Sequence, residues 1–130
     1  MKKFFVFMFI LIFCLSGCTN EENLTIENKI NSEIEYVKKN CSIFIAKFDS
    51  DEYLKDGTLD SEKIKYDTTV FLNSLPVIVD DLKYVKLSDE FINNMNNIIG
   101  NINNFSQNNQ LDNLKNEYIS LYNLFEALEK

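Results

Sequence analysis

Twenty carboxylates and three thiols are the obvious reactive side chains of this chain, and the company they keep limits their chemistry. There is no His, so no imidazole is available as a general base or a metal ligand. Serine–histidine and cysteine–histidine nucleophilic catalysis are excluded by composition alone. Paired-carboxylate hydrolysis needs two acids that converge in a cleft with separated pKa values. The pairs Asp80-Asp81 and Glu21-Glu22 are sequence neighbours and diverge around a helix instead. Phosphate neutralisation drives most nucleic-acid affinity, and an acidic chain whose 13 cationic side chains are all lysines suits it poorly. The expectation is a non-enzymatic protein with no metal, no cofactor and no nucleic-acid partner.

Of the thiols, Cys18 stands in a special context. Lys2 and Lys3 precede an apolar run from Phe4 to Leu15, and Leu15-Ser16-Gly17-Cys18 follows. A basic start, a short apolar core and small residues before a cut describe a secretory signal. The run is twelve residues long, whereas a membrane-crossing helix needs roughly 20. The tetrapeptide resembles the lipobox of bacterial lipoproteins. That resemblance implies lipid on the Cys18 sulfur, cleavage before Cys18 and a mature chain anchored outside the cytoplasmic membrane. It covers the first 18 residues. The domain plan is then a signal peptide at 1–17, a lipidated tether at 18–24 and a helical domain at 25–130.

Cleavage would remove two lysines and no acids, leaving 113 residues with 11 lysines against 20 acids, a net charge of −9. That length suits one domain. Cys14 would leave with the signal, so Cys41 would be the remaining free thiol, and one cysteine makes no internal disulfide. The acidic surface favours solubility and would attract cationic peptides or basic proteins.

The elements follow from spacing. Ile26, Ile30, Ile34, Val37, Cys41, Phe44 and Phe48 step by three and four, predicting a helix over about 22–48 with Cys41 as a small buried hydrophobe. Residues 49–58 break the pattern. Aligning Gly57 with the sixth position of a calcium loop puts Leu54 at the third and Lys63 at the twelfth, where oxygen ligands are needed. The stretch therefore reads as an acidic turn, with Gly57 supplying a positive φ. Ile64, Thr68, Phe71, Leu75, Ile78, Leu82 and Val85 predict a second helix over about 60–86. Its seam keeps phase through Pro76, which predicts a kinked continuous helix.

Ser88 is placed to cap a third helix running to about 106, with Asp89 and Glu90 in its first turn. Its seam is Phe91, Met95, Ile98, Ile102 and Phe105, and seven asparagines fill the opposite face. Leu111, Leu114, Tyr118, Leu121, Phe125 and Leu128 define a fourth helix. No stretch reads as a strand. The predicted fold is an all-α, antiparallel four-helix bundle.

The second helix carries another stripe. Tyr66, Val70, Val77 and Tyr84 lie roughly opposite the main seam, and Tyr36 and Ile43 form a weaker back-face pair on the first helix. Either the second helix is central and covered on both sides, or the stripe meets a partner. Tyr66, Val70, Val77 and Tyr84 are the candidate partner-binding residues, and Cys18 is the lipidation site. The expected function is a membrane-anchored, extracytoplasmic protein-binding module of accessory, immunity or exclusion type. Its partners would be the membrane through the lipid on Cys18, and an envelope protein or cationic peptide. The alternative is a small-ligand or cell-wall glycan binder that uses the asparagine face.

Overall fold

A computed structural model describes the backbone of residues 2–82 and 85–129, and the side chains within that range from residue 26 onward. The chain divides into two units, residues 1–32 and 33–130. Helix α1 is Lys2–Asp49, so it starts well before the seam at Ile26. The apolar run and the amphipathic run contain no proline, and both suit a helix. Cys18 lies outside the residues whose side chains are described, and Tyr84 lies outside the described residues altogether.

In the second unit the predicted seams become the core. Ile34, Val37, Cys41 and Phe44 of α1 are buried. Helix α2, Ser61–Leu82, buries Ile64, Thr68, Phe71, Leu75, Ile78 and Leu82, and it continues through Pro76 without a break. Helix α3, Asp89–Gln107, buries Phe91, Met95 and Ile102. Helix α4, Leu111–Glu126, buries Leu114, Tyr118, Leu121 and Phe125 and ends in a short 3-10 turn, Ala127–Glu129.

The contacts define an antiparallel bundle. Phe44 of α1 stacks on Tyr118 of α4 with ring centroids 4.4 Å apart, and Phe71 of α2 leans on both rings at 5.7 and 5.8 Å. Lys38 pairs with Glu129 at 2.6 Å, and Asp49 pairs with Lys115, so α1 and α4 run in opposite directions. Lys47 pairs with Asp67 at 3.0 Å while Phe44, earlier on α1, meets Phe71, later on α2, which gives the same relation between α1 and α2. Tyr118 Oη donates to Thr68 Oγ1 at 3.0 Å across the core. The polar member of the α2 seam is thereby satisfied, as a buried hydroxyl requires.

Local signals set the ends. Ser88 Oγ accepts the Phe91 amide at 3.1 Å, so the predicted N-cap of α3 is formed. The turn between α1 and α2 is more ordered than its spacing predicts. A single 3-10 turn, Asp51–Tyr53, leads into two strands, β1 (Leu54–Lys55) and β2 (Thr58–Leu59). They pair antiparallel, Leu54 with Leu59 and Lys55 with Thr58. The expectation of no strand is corrected here. Asp56 and Gly57 both take positive φ, at 54° and 79°, the conformation of a two-residue hairpin turn for which Asp-Gly is suited.

Candidate functional site

The stripe on α2 faces outward. Tyr66 is 70% exposed, Val70 55% and Val77 66%. The reading in which neighbours cover α2 on both sides is therefore not what the described residues adopt. The back face of α1 lies alongside, with Tyr36 and Ile43 each 43% exposed. The two faces form an open groove of about 230 Å3. Tyr36, Asn40 and Ile43 line one bank, and Tyr66 and Val70 the other. Phe44 and Phe71 form its floor, so the groove sits directly on the aromatic core.

This geometry follows from the seams. Residues that step by three and four on one side of a helix leave another set, offset by about half a turn, on the far side. On α1 the Phe44 seam points inward and leaves Tyr36 and Ile43 at the rim. On α2 the Phe71 seam leaves Tyr66 and Val70 at the rim. The sequence placed these residues on back faces, and the packing of α1 against α2 brings them together. Val77 continues the α2 bank beyond the groove lining.

One end of the groove is closed by polar groups that spacing alone does not reveal. Asp67 Oδ2 accepts from Lys47 Nζ and from Tyr53 Oη, each at 3.0 Å. Tyr53 is fully buried behind the hairpin, packed edge-on against Phe48 at 5.1 Å. Lys47 and Lys63 lie 5.5 and 5.7 Å from its ring centroid, within the range of a cation–π contact. The hydrogen bond to Asp67 holds the Lys47 ammonium above its ordinary pKa. Burial, then the bond to Asp67, pushes the Tyr53 phenol up. The sequence signal for this lock was an aromatic residue, Tyr53, inside the acidic stretch that breaks the helical pattern.

Burial pushes the Cys41 thiol up to about 12, so it stays protonated and unreactive at neutral pH. Among the described residues no three His, Cys, Asp or Glu side chains gather as a metal site. No helix of the described residues is long and apolar enough to cross a membrane. The seven asparagines of α3 (Asn93, Asn94, Asn96, Asn97, Asn101, Asn103 and Asn104) are all exposed. Comparison with protein-family models, curated proteins and solved structures finds no match to this chain.

Proposed function

We propose that this chain is an extracytoplasmic lipoprotein, anchored to the cell membrane through Cys18, that acts as a non-enzymatic protein-binding module. The observation that carries the binding role is the outward stripe of Tyr66, Val70 and Val77 beside Tyr36 and Ile43. Covering these side chains with a partner removes apolar area from water, worth about 25 cal/mol per Å2. Tyrosine suits such a surface because its ring is apolar and its hydroxyl stays wet. The sequence continues the stripe to Tyr84. The address rests on the Leu15-Ser16-Gly17-Cys18 resemblance to a lipobox. Tethering would raise the local concentration of the face against envelope partners. An accessory, immunity or exclusion role would fit such a surface.

The size of the groove favours a protein over a small ligand. Drug-sized ligands occupy cavities of about 300–1,000 Å3 that enclose most of their surface. The groove holds about 230 Å3 and is open. The asparagine face of α3 is the remaining support for a glycan-binding role.

Two measurements test the reading. Labelled fatty acid enters the wild-type product and fails to enter Cys18→Ala; equal labelling of the two overturns the anchor. Crosslinking pull-downs from intact cells compare the wild-type chain with Val70→Glu and Val77→Glu. Both variants keep the wild-type circular dichroism spectrum and lose the captured protein. Capture of the same proteins by folded variants rules out this face.

A further inference from the structure

Asp56-Gly57 stands where chemistry on the backbone itself is least hindered. The chain has three glycines, and Gly57 alone follows an aspartate or an asparagine. Glycine has no side chain to shield its own nitrogen, and its backbone is the least restricted. Both residues are exposed, and a Cβ added at Gly57 would meet nothing within 4 Å. The hairpin register pairs Lys55 with Thr58 and leaves Asp56 and Gly57 outside the ladder. The tip is also weakly held. Asp56 keeps φ at 54°, a left-handed backbone that costs a residue with a Cβ about 1–2 kcal/mol, less for a short polar side chain such as aspartate. Two residue pairs and one side-chain bond, Thr58 Oγ1 to the Lys55 carbonyl at 3.1 Å, keep it closed. Two-stranded hairpins are marginal in water. The base is firmer, because Tyr53 is fully buried and the Asp60 amide donates to its carbonyl at 2.7 Å. The tip therefore opens without unfolding the bundle.

We infer that Asp56-Gly57 is a site of spontaneous covalent modification, the isomerisation of aspartate to isoaspartate, and that the product loosens the Tyr53 lock. In the first step the Gly57 nitrogen attacks Cγ of the protonated Asp56 carboxyl. A C–N bond forms, a C–O bond breaks, and the amide proton leaves with the hydroxyl as water. The product is a five-membered succinimide ring. Water then opens the ring. Attack at Cγ restores aspartate, and attack at the main-chain carbonyl carbon leaves the chain running through the former side chain. Water is the one molecule exchanged, and nothing is oxidised or reduced.

Other aspartates lack this combination. Asp60 accepts the Lys63 amide at 3.1 Å, Asp67 is held by Lys47 and Tyr53, and Asp49 is held by Lys115. Each of the three is followed by serine or threonine rather than glycine. The consequence at position 56 follows from the turn. Isoaspartate adds one methylene to the backbone of a two-residue loop. In a hairpin the loop length fixes the register, so the lengthened loop no longer seats Lys55 against Thr58. Tyr53 adjoins β1 and takes the Asp60 amide on its carbonyl, so the change reaches the phenol that donates to Asp67.

The test is ageing of the purified full chain in warm, mildly acidic buffer, beside the same chain in denaturing urea. Electron-transfer mass spectrometry of its peptides separates isoaspartate from aspartate by their backbone fragments. Isoaspartate is expected to form at position 56 at least about tenfold faster than at any other aspartate, glycine being the least hindering neighbour. Asp56→Asn reaches the same ring by losing ammonia, and should open to the same initial ratio of isoaspartate to aspartate. Gly57→Ala should slow the reaction in urea as well, which separates shielding of the nitrogen from any change in the folded turn. Hydrogen exchange of the aged chain should show the Asp60 amide at least about tenfold less protected, with the amides of α3 and α4 unchanged. Modification in urea with none in the folded chain overturns the site, because the closed turn then protects it. Equal modification at several aspartates overturns it too. An isoaspartyl chain whose Asp60 amide keeps its protection overturns the link to the Tyr53 lock.

Discussion

Replacing Tyr118 by Phe and Thr68 by Val, singly and together, tests whether the core is joined as described. Tyr118 Oη donates to Thr68 Oγ1 at 3.0 Å, and the two residues are 0% and 1% exposed. Tyr118→Phe keeps the ring stacked on Phe44 and strands the Thr68 hydroxyl. Thr68→Val keeps the volume and strands the phenol. Each single change leaves one buried polar group without its partner, at a cost of about 1–3 kcal/mol. The double replacement removes both groups together, and an apolar pair of the same shape is nearly neutral. The double variant should therefore be less destabilised than the sum of the singles by at least about 1 kcal/mol, a coupling typical of residues in direct contact. Urea unfolding followed by circular dichroism reads this directly. With a slope of about 1–3 kcal/mol per molar, each single change lowers the midpoint by roughly 0.5–1.5 M. A double variant whose loss equals the sum of the singles would refute the shared hydrogen bond and the placement of α4 against α2.

Three further outcomes follow from particular residues. Stability should fall at alkaline pH, because burial raises the Tyr53 and Tyr118 phenols and lifts the Cys41 thiol from 9.0 to about 12, while Asp67 raises Lys47. For each group the folded state binds its proton more tightly, so the contribution is full below the unfolded pKa, near 9 for the thiol and near 10 for the rest, and is lost as pH rises through the folded pKa. Urea midpoints between pH 8 and 11 check this; a flat profile contradicts it, and Tyr53→Phe with Tyr118→Phe should shallow the slope. Gly57→Ala should cost about 1–2 kcal/mol from the left-handed backbone alone, since Gly57 has φ +79° and an added Cβ meets nothing within 4 Å. Gly57→Asn should lose less melting temperature, because its short polar side chain tolerates that conformation. Ser88→Ala should cost about 1 kcal/mol by removing the α3 cap, read as a drop in melting temperature that Ser88→Asp largely avoids.

The fold was legible wherever spacing reports on burial. Every predicted seam residue of α2 up to Leu82 is buried, including Thr68, whose polarity argues against burial when read alone. Pro76 kept the seam in phase, and the helix continues through it. What spacing does not encode is which helix lies beside which. Tyr36, Ile43, Tyr66 and Val70 were visible as back-face residues, yet only the packing of α1 against α2 makes them one groove. Lys47 and Asp67 belong to different helices, and no periodicity links them. The hairpin was missed because two-residue strands are too short to alternate, although Asp56-Gly57 was a usable signal. Ser106 is buried one position past the predicted seam residue Phe105, its Oγ without a hydrogen-bond partner among the described residues. A polar residue at a helix end gives no pattern to read.

The pairing of α1 with α4 has a bearing on when this protein can take shape. Ring stacking of Phe44 on Tyr118 and the ion pairs Lys38–Glu129 and Asp49–Lys115 all join the front of the domain to its final stretch. A ribosome makes that final stretch last. Until Tyr118, Leu121 and Phe125 emerge, Phe44 and Phe71 have each other but lack the Tyr118 ring that completes their cluster, so the core closes only when α4 arrives.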